Sequence, residues 1–474
     1  MKEEQRHQLE KALMSLDKSE LIKLLVYQAE QLEKVDQLEA EVKRLQELLK
    51  TSLRSEKRQA APFGKKEVQQ NPKPRGRKGG HKGKYRTASG PISEYIESPL
   101  AGCPNCGGGV EGLQALDQII EESPKVSPRI IQLRTWQGHC RHCGKVRSSH
   151  ALQVGTAQGS AKVQLGPRAL SWVLKMRHRY GISISKSCDL LQDAFGLPLS
   201  GGAVSQIEQR MAKKLMPDYV QLLEQARSAE HIHVDETSWY VGSPKWWLWT
   251  FANDDMTIYE VDQSRGKDVL ERILGKSFQG ILISDCLSPY EDFCEKQQKC
   301  YAHHLKAIKD ALLILPNSQY LRVLRRLLRK AILYKQCKTG LPPPDYQVLC
   351  QHLENWADLL VPTTLNEKGK SILDVQACPF KLLPTEQQLA NRIAKRRKHL
   401  FTFLYHDQVS ATNNLAERQL RPAVIQRKIS CGNKTPKGAQ AWKILRSVYV
   451  SNQQQQKDFS QSIVHALQRN LLER

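Results

Sequence analysis

The sequence predicts a multidomain protein whose core is an α/β domain built on a mixed sheet. Residues 231–237, 245–251 and 257–261 are apolar, strand-like segments joined by short polar turns, which predicts an antiparallel meander. Residues 267–274 then read as a helix, and residues 280–285 form an apolar run that is typical of a buried parallel strand. Three antiparallel strands, a helix and a parallel strand follow one another in the order of the ribonuclease H-like fold.

Two carboxylates occupy equivalent places in this predicted sheet. Asp235 lies on the first strand and Asp285 ends the parallel strand, and these strands are neighbours in the predicted topology. Close carboxylates repel each other unless a cation joins them. Two Mg²⁺ or Mn²⁺ ions about 3.5 to 4 Å apart activate the attacking oxygen and neutralise the leaving oxygen in phosphodiester cleavage. We therefore expect a two-metal catalytic site. Glu236 is a weaker candidate ligand, because it points to the opposite face of its strand from Asp235.

A third acidic ligand is expected on a later helix, and residues 412–422 supply it. Thr412 or Asn413 would cap the helix, Pro422 would end it, and Glu417 lies four residues after Asn413 on the same face. Taken alone, Glu417 would equally pair with a neighbouring surface arginine. The ordered set of three acids favours the metal site, with Asn413 and Asn414 as its neighbours.

The segment between Asp285 and Glu417 is much longer than one helix requires, so a helical insertion is expected at about residues 305–405. Two groups of basic residues lie within it, and they would either line a DNA channel or form solvated faces. These residues are Arg322, Arg325, Arg326, Arg329 and Lys330, followed by Arg392, Lys395, Arg396, Arg397 and Lys398.

Four of the twelve cysteines form two C-x-x-C-G motifs. Each such turn points both sulfurs the same way, and the glycine lets the backbone fold beneath them. The motifs therefore predict one structural zinc ion, and a hairpin between the pairs accommodates their long separation. A disulfide is the alternative, although the scattered remaining cysteines favour a reducing compartment. The four predicted ligands are Cys103, Cys106, Cys140 and Cys143.

The N-terminal part predicts a long helix followed by a basic linker. Residues 1–53 carry leucines and valines three or four apart, which indicates a coiled coil and a homodimer or higher oligomer, with a helix docked on its own chain as the alternative. Residues 54–95 are basic and rich in proline and glycine, and would follow DNA phosphates or merely aid solubility. The expected DNA contacts are Arg75, Arg77, Lys78, Lys82, Lys84 and Arg86.

The remaining domain boundaries follow from the same patterns. A helix-turn-helix-like region is expected in which Ser200 caps the second helix, although any hairpin of two helices has this pattern. The expected units are a zinc module at 96–150, the helix-turn-helix-like region at 160–228, the catalytic domain at 229–430, and a C-terminal tail and helix at 431–474.

The charge balance indicates an anionic partner. Lysine and arginine number 72 against 48 acidic residues, which gives a formal net charge of +24. No run approaches the roughly 18 to 20 apolar residues that span a bilayer, and the charged first twenty residues have no signal-peptide core. We therefore expect a cytoplasmic, nucleoid-associated protein with DNA as its partner and no membrane contact.

Several of these motifs together resemble the transposases of the insertion sequence sixty-six family. The matching segments are the V-D-E-T and I-S-D strands, C-Y-A-H and N-N-L-A-E-R. The resemblance implies that Asp235, Asp285 and Glu417 are the Asp-Asp-Glu ligands and that the four motif cysteines bind structural zinc. It also implies cleavage at the terminal inverted repeats of a bacterial insertion sequence and transfer of the freed 3′ hydroxyls into target DNA, with accessory transposition proteins as candidate partners.

The C-Y-A-H segment leaves two interpretations open. Cys300 and His303 resemble the family's C-x-A-H helix, with His304 in place of the basic residue that often follows. They would form another metal pair or simply pack near the active site, and the second is expected because C-x-x-H alone lacks further ligands.

Two other functions use the same features. A ribonuclease H-like nuclease or resolvase would employ the same carboxylates without strand transfer. A non-catalytic regulator derived from a transposase would only bind DNA, but the presence of all three acids argues against this alternative.

Overall fold

A computed structural model describes residues 89–122, 126–148, 150–154 and 163–472. The predicted coiled coil and the basic residues from Arg75 to Arg86 lie outside the described residues. The chain divides into two compact units, residues 1–123 and residues 124–474. In the first unit, residues 89–122 contain bends and turns but no helix or strand.

The second unit contains all the regular elements of the described chain. Its strands are β1 (Gln137–Cys140), β2 (Gly144–Arg147), β3 (His231–Val241), β4 (Ser243–Ala252), β5 (Thr257–Asp262), β6 (Ile281–Ser284), β7 (Gln297–Lys299), β8 (Thr363–Leu365) and β9 (Ser371–Leu373). Its α-helices are α1 (Pro167–His178), α2 (Ile184–Phe195), α3 (Gly201–Lys214), α4 (Met216–Arg227), α5 (Lys267–Leu274), α6 (Tyr301–Ile314), α7 (Gln319–Cys337), α8 (Pro343–Leu360), α9 (Pro384–Ala394), α10 (Thr402–Tyr405), α11 (Asn414–Ser430), α12 (Pro436–Gln454) and α13 (Phe459–Leu472).

The central sheet has the strand order β5-β4-β3-β6-β7. β3, β4 and β5 form an antiparallel meander, whereas β6 is parallel to β3 and β7 is parallel to β6. The predicted sequence of three antiparallel strands, a helix and a buried parallel strand is therefore observed. Trp249 is fully buried in β4, as expected for sheet packing.

The start of β6 requires a glycine. A Cβ atom at Gly280 would lie 2.2 Å from the carbonyl oxygen of Ala229, which is too close for any side chain. With glycine there, the backbone N–H of Ile281 donates to the carbonyl of Glu230 at 2.8 Å. This close approach lets β6 pair with β3 from its first residue.

β6 separates two hydrophobic cores. Leu282 belongs to the core between the sheet, helices α1 to α5 and helices α11 to α13, whereas Ile281 and Ile283 belong to a second core with α6 to α10. Alternate side chains of a strand point to opposite faces, so one short apolar strand serves both cores. The second core is the predicted helical insertion, and its helices run from Tyr301 to Tyr405.

The helices before and after residues 229–430 share the first core. Ser200 caps α3 by accepting the N–H of Ala203 at 3.2 Å, as predicted. The same helix packs its buried residues into the core of the sheet. Beyond residue 430, where a tail and helix were expected, α12 is buried almost continuously and lies along β5. The boundaries at 228 and 430 therefore do not divide the hydrophobic core.

A buried ion pair joins this C-terminal helix to the sheet. Lys443 of α12 donates to both carboxylate oxygens of Glu260 in β5 at 2.8 Å, and the hydroxyl of Tyr219 in α4 donates to the same carboxylate at 3.1 Å. Glu260 and Lys443 are 4% and 8% exposed. Breaking such a buried pair leaves an uncompensated charge and costs about 3–5 kcal/mol.

One predicted boundary is wrong. Pro422 does not end its helix, because α11 continues through it to Ser430. A proline inside a helix removes one hydrogen bond and costs about 3 kcal/mol. The packing of α11 against β3 and β4 offsets this cost, since Leu420 and Ala423 on either side of Pro422 belong to the first core.

None of the helices in the described ranges is long and apolar enough to cross a lipid bilayer.

Candidate active site

The parallel pairing of β3 and β6 sets Asp235 and Asp285 side by side. His233 lies opposite Ile283 in the register; Asp235 follows two residues later within β3, and Asp285 follows two residues later, directly after β6. The carboxylate of Asp285 accepts the N–H of Leu287 at 2.9 Å, and that of Asp235 accepts the N–H of Glu236 at 3.0 Å. Asp235, within β3, and Asp285, directly after β6, are therefore neighbours across the β3–β6 pair, as the sequence predicted.

The electrostatics indicate a crowded set of negative charges. The pKa of Asp235 is raised to about 8, mainly by burial and then by the charges of Glu236, Asp285 and Glu417. Within the described residues, neither aspartate nor Glu417 has a cationic side chain in a salt bridge. All three acids are half-buried, and partly desolvated carboxylates without a counter-charge hold protons or bind cations, so this arrangement is suited to a divalent metal.

Glu236 has partners of its own. Its carboxylate accepts from Arg265 at 2.8 Å and from the hydroxyl of Tyr290, and its side chain is 2% exposed. Arg265 also stacks over the ring of Trp247, 4.2 Å from the centroid. Glu236 is therefore engaged in a structural ion pair, in agreement with its lower rank as a metal ligand.

Asn413 connects the Glu417 helix to the first strand. Of the two predicted caps, Thr412 and Asn413, it is Asn413 that stands at the N-terminal cap position of α11, but its side chain makes no cap hydrogen bond. Instead its amide nitrogen donates to the carbonyl of Val234 at 2.8 Å, and its amide oxygen lies 3.1 Å from Nδ1 of His233. These two residues directly precede Asp235. The contacts therefore hold α11 against the strand that carries the first acid, whereas Asn414 is exposed.

Cys300 and His303 lie close to the third acid. Ligand atoms of Cys300, His303 and Glu417 all lie within 4.8 Å of one another, and they are the residues of the described chain that meet this criterion for three potential metal ligands. Asp235, Asp285 and Glu417 are not such a tight group. Two cations, rather than direct contact, would be needed to join these three acids.

One residue near Asp285, Lys299, was not predicted. Lys299 is fully buried at the end of β7, and its Nζ donates to Oγ of Ser284 at 3.1 Å. Burial lowers the pKa of Lys299 to about 8, although the nearby thiol of Cys286 and the carboxylate of Asp285 oppose this shift. A lysine directly before the C-x-x-H motif was the only sequence signal for it.

Two arginines of the basic run before α11 are engaged in internal contacts. Arg396 donates to the carbonyl of Cys286 at 3.0 Å and pairs with Glu291, so it holds the loop after Asp285. Arg397 pairs with Glu354 and Asp358 of α8. These two arginines therefore do not form a free DNA-binding face.

The other basic group forms a groove. Arg325, Arg326 and Arg329 of α7 have no acidic partner within the described part of the chain, and a cavity of about 740 Å³ opens beside them. Its lining residues are Leu312, Pro316, Arg322, Arg325, Arg326, Arg329, Lys330 and Leu333.

One protein-family model matches a part of the chain that includes Asp235, Asp285 and Glu417. The model described as "Transposase IS66 family" matches residues 162–441, which is more than half of the chain. The chain belongs to the IS66 transposase family. The match extends from just before α1 into α12 and includes the sheet, the insertion and α11. The four cysteines of the two C-x-x-C-G motifs lie outside it.

This IS66-family chain is also similar to a curated relative. The protein described as "Uncharacterized protein y4qI", from Sinorhizobium fredii, is 25% identical over 254 residues. The alignment covers 48% of this chain and 45% of the relative, so the chain spans less than half the length of that protein.

Each C-x-x-C-G motif of the IS66-family chain forms a tight turn. The N–H of Gly107 donates to the carbonyl of Cys103 at 2.8 Å, and Cys140 and Gly144 flank the turn of the β1–β2 hairpin. Backbone N–H groups within each turn lower the pKa of Cys103 and of Cys140. The two turns belong to different compact units, and their union around one zinc ion stays a prediction.

Replacing Asn413 with Ala should destabilise the protein by about 1–3 kcal/mol, because buried groups of β3 would lose their partner. Chemical denaturation would measure this change. Asn414→Ala, at an exposed neighbouring position, is the matched control and should change the free energy of unfolding little. Equal stability of the two variants would contradict the role of Asn413.

Replacing Asp235 with Asn should stabilise the metal-free protein increasingly as the pH rises. Folded Asp235 has a pKa of about 8 against the ordinary 3.8. Because folding raises this pKa, protonation of Asp235 stabilises the folded state. This contribution is complete below about pH 4 and is lost as the pH rises to about 8. Asn loses no proton, so its Tm gain should grow between about pH 5 and pH 8 and then level off, at roughly 2–4 °C for each kcal/mol.

Thermal unfolding in a metal chelator would measure this gain, with the exposed Asp255→Asn variant as the control. A Tm difference for Asp235→Asn that stays constant across the pH range would show that Asp235 has an ordinary pKa.

Proposed function

We propose that this chain is a metal-dependent DNA transposase with an Asp-Asp-Glu site on a ribonuclease H-like domain. The β3–β6 register carries the proposal, because it makes Asp235 and Asp285 neighbours across two adjacent strands of a mixed sheet. The influence of Glu417 on the pKa of Asp235 supports the third ligand. Membership of the IS66 transposase family gives the reaction class.

Asp235, Asp285 and Glu417 would hold two Mg²⁺ or Mn²⁺ ions. Oxygen ligands suit these cations, and the ions would supply activation of the attacking oxygen and neutralisation of the leaving oxygen. The residues around the acids are positioned to keep the site in shape. Asn413 holds the Glu417 helix on β3, and Arg396 holds the loop after Asp285.

The proposed DNA partners are the terminal inverted repeats of the element and a target DNA. The net charge of +24 supports nucleic-acid binding, and the groove beside α7 offers arginines that are free to meet phosphates. We also propose, from the sequence, a structural zinc ion, a homodimer and accessory transposition proteins as partners.

Replacing Asp285 with Asn should reduce joining of the element's ends at least about 100-fold. Even the loss of residues that only orient metal ligands costs about 10–100-fold in activity. Purified protein, Mg²⁺ or Mn²⁺ and DNA with the element's terminal repeats would be incubated, and nicked and joined products separated on a gel. Asp255→Asn is the surface control and should join normally.

The products distinguish the alternatives. Normal joining by an Asp285→Asn variant that still binds the ends would overturn the assigned site. Cut but never joined ends from the wild type would indicate a nuclease or resolvase, and binding without cutting would indicate a regulator.

Replacing Arg325, Arg326 and Arg329 with Ala should weaken DNA binding and flatten its salt dependence. Each lost phosphate contact reduces the slope of log K against log salt by about 0.7–0.9, so three contacts would reduce it by roughly 2–3. Fluorescence anisotropy at several salt concentrations would measure the slope.

A triple variant with the same change of charge provides the control. Lys276, Lys368 and Lys437 are exposed and lie outside the groove. Their replacement by Ala should leave most of the slope intact. Equal effects of the two triple variants would show that only net charge matters.

A further inference from the structure

The C-x-x-H motif offers two potential metal ligands, Cys300 and His303, and the fold places a third, Glu417, beside them. Cys300 stands at the N-terminal cap of α6 and His303 lies in its first turn, while Glu417 comes from the first turn of α11. More than one hundred residues separate the pair from Glu417 in the chain, yet their ligand atoms lie within 4.8 Å of one another. The fold thus brings together a thiol, an imidazole and a carboxylate.

The environment of these groups points to a ligand. Nδ1 of His303 is buried and has no hydrogen-bond partner, although buried polar atoms in native proteins are nearly always satisfied. Cys300 is fully buried, and its sulfur accepts the backbone N–H of Asn413 at 3.2 Å. Glu417 is half-buried and without a salt bridge in the described part of the chain. An ion bound here would satisfy the imidazole nitrogen.

The donor set selects the kind of ion. Mg²⁺ prefers oxygen ligands only, whereas Zn²⁺ binds sulfur, nitrogen and oxygen together. Three protein ligands leave one position of a zinc tetrahedron open for water. When the metal–sulfur bond forms, the thiol proton of Cys300 passes to solvent, because only the thiolate is a ligand.

We propose that Cys300, His303 and Glu417 form a second metal position that binds a zinc-like divalent cation. A consequence rests on the proposed function: Glu417 would be shared with the catalytic Mg²⁺ or Mn²⁺ ions. A thiol-binding cation at this position would compete with them for the third acid.

Cobalt binding to the full chain tests this position without an activity assay. Co²⁺ replaces zinc and gives a near-ultraviolet charge-transfer band when it binds a thiolate. The band and the number of ions bound would be measured for the wild type, Cys300→Ser and His303→Gln after dialysis against Co²⁺ under reducing conditions. Cys300→Ser places a residue that is preferred at helix N-caps, and Cys337→Ser, at an exposed cysteine, is the matched control.

We expect Cys300→Ser and His303→Gln each to bind one Co²⁺ fewer than the wild type, or to bind it at least about 100-fold more weakly. Cys300→Ser should also lose part of the band, while Cys337→Ser matches the wild type. Equal ion numbers and equal bands in the wild type, Cys300→Ser and His303→Gln would overturn the proposal. Circular dichroism would confirm folding, and His303→Gln decides the question if Cys300→Ser does not fold.

Asp285→Asn separates this inference from the proposed function. Asp285 is not among the three ligands, so the variant should retain the cobalt band while it loses DNA joining. Loss of joining with no difference in cobalt binding between the wild type and the Cys300 and His303 variants would refute the second metal position alone. A cobalt site in a wild-type protein that neither cuts nor joins DNA would refute the transposase alone.

Discussion

The parallel pairing of β3 with β6 is the constraint on which the candidate site depends. It places Asp235 and Asp285 at the same level of neighbouring strands, and Gly280 allows the close backbone approach with which this pairing starts. The pairing also divides the side chains of β6 between two hydrophobic cores. The same hydrogen bonds that build the sheet therefore bring together charges that repel each other.

The stability of the surrounding core must offset this repulsion. Burial of Asp235 beside other acids opposes its ionisation, and such strained electrostatics are common at functional sites. The first core contributes helices from both ends of the catalytic segment. The buried pair of Glu260 and Lys443 adds a polar contact between β5 and α12. Helices distant from the acids in sequence thus support the rigid sheet edge that the acids require.

The insertion contributes more than spacing between the second and third acids. Its helix α6 begins directly after β7 with Cys300 at the cap, and its last part carries Arg396 to the loop behind Asp285. Asn413 donates hydrogen bonds both to the carbonyl of Val234 in β3 and to the sulfur of Cys300. The position of Glu417 is therefore set by the sheet and by the insertion together, which links the candidate catalytic site to the second metal position.

The sequence by itself determined the elements whose signals are local. Alternating and apolar runs predicted β3 to β6, Ser200 predicted the start of α3, and the strand order placed Asp235 and Asp285 together. The tertiary structure alone decided that α11 continues through Pro422, that α12 is buried, and that Asn413 bonds to β3. The sequence placed Cys300 and His303 near the active site, but only the tertiary structure brought their ligand atoms within 4.8 Å of that of Glu417. These features depend on contacts between segments far apart in the chain, and such contacts leave no periodicity in the sequence.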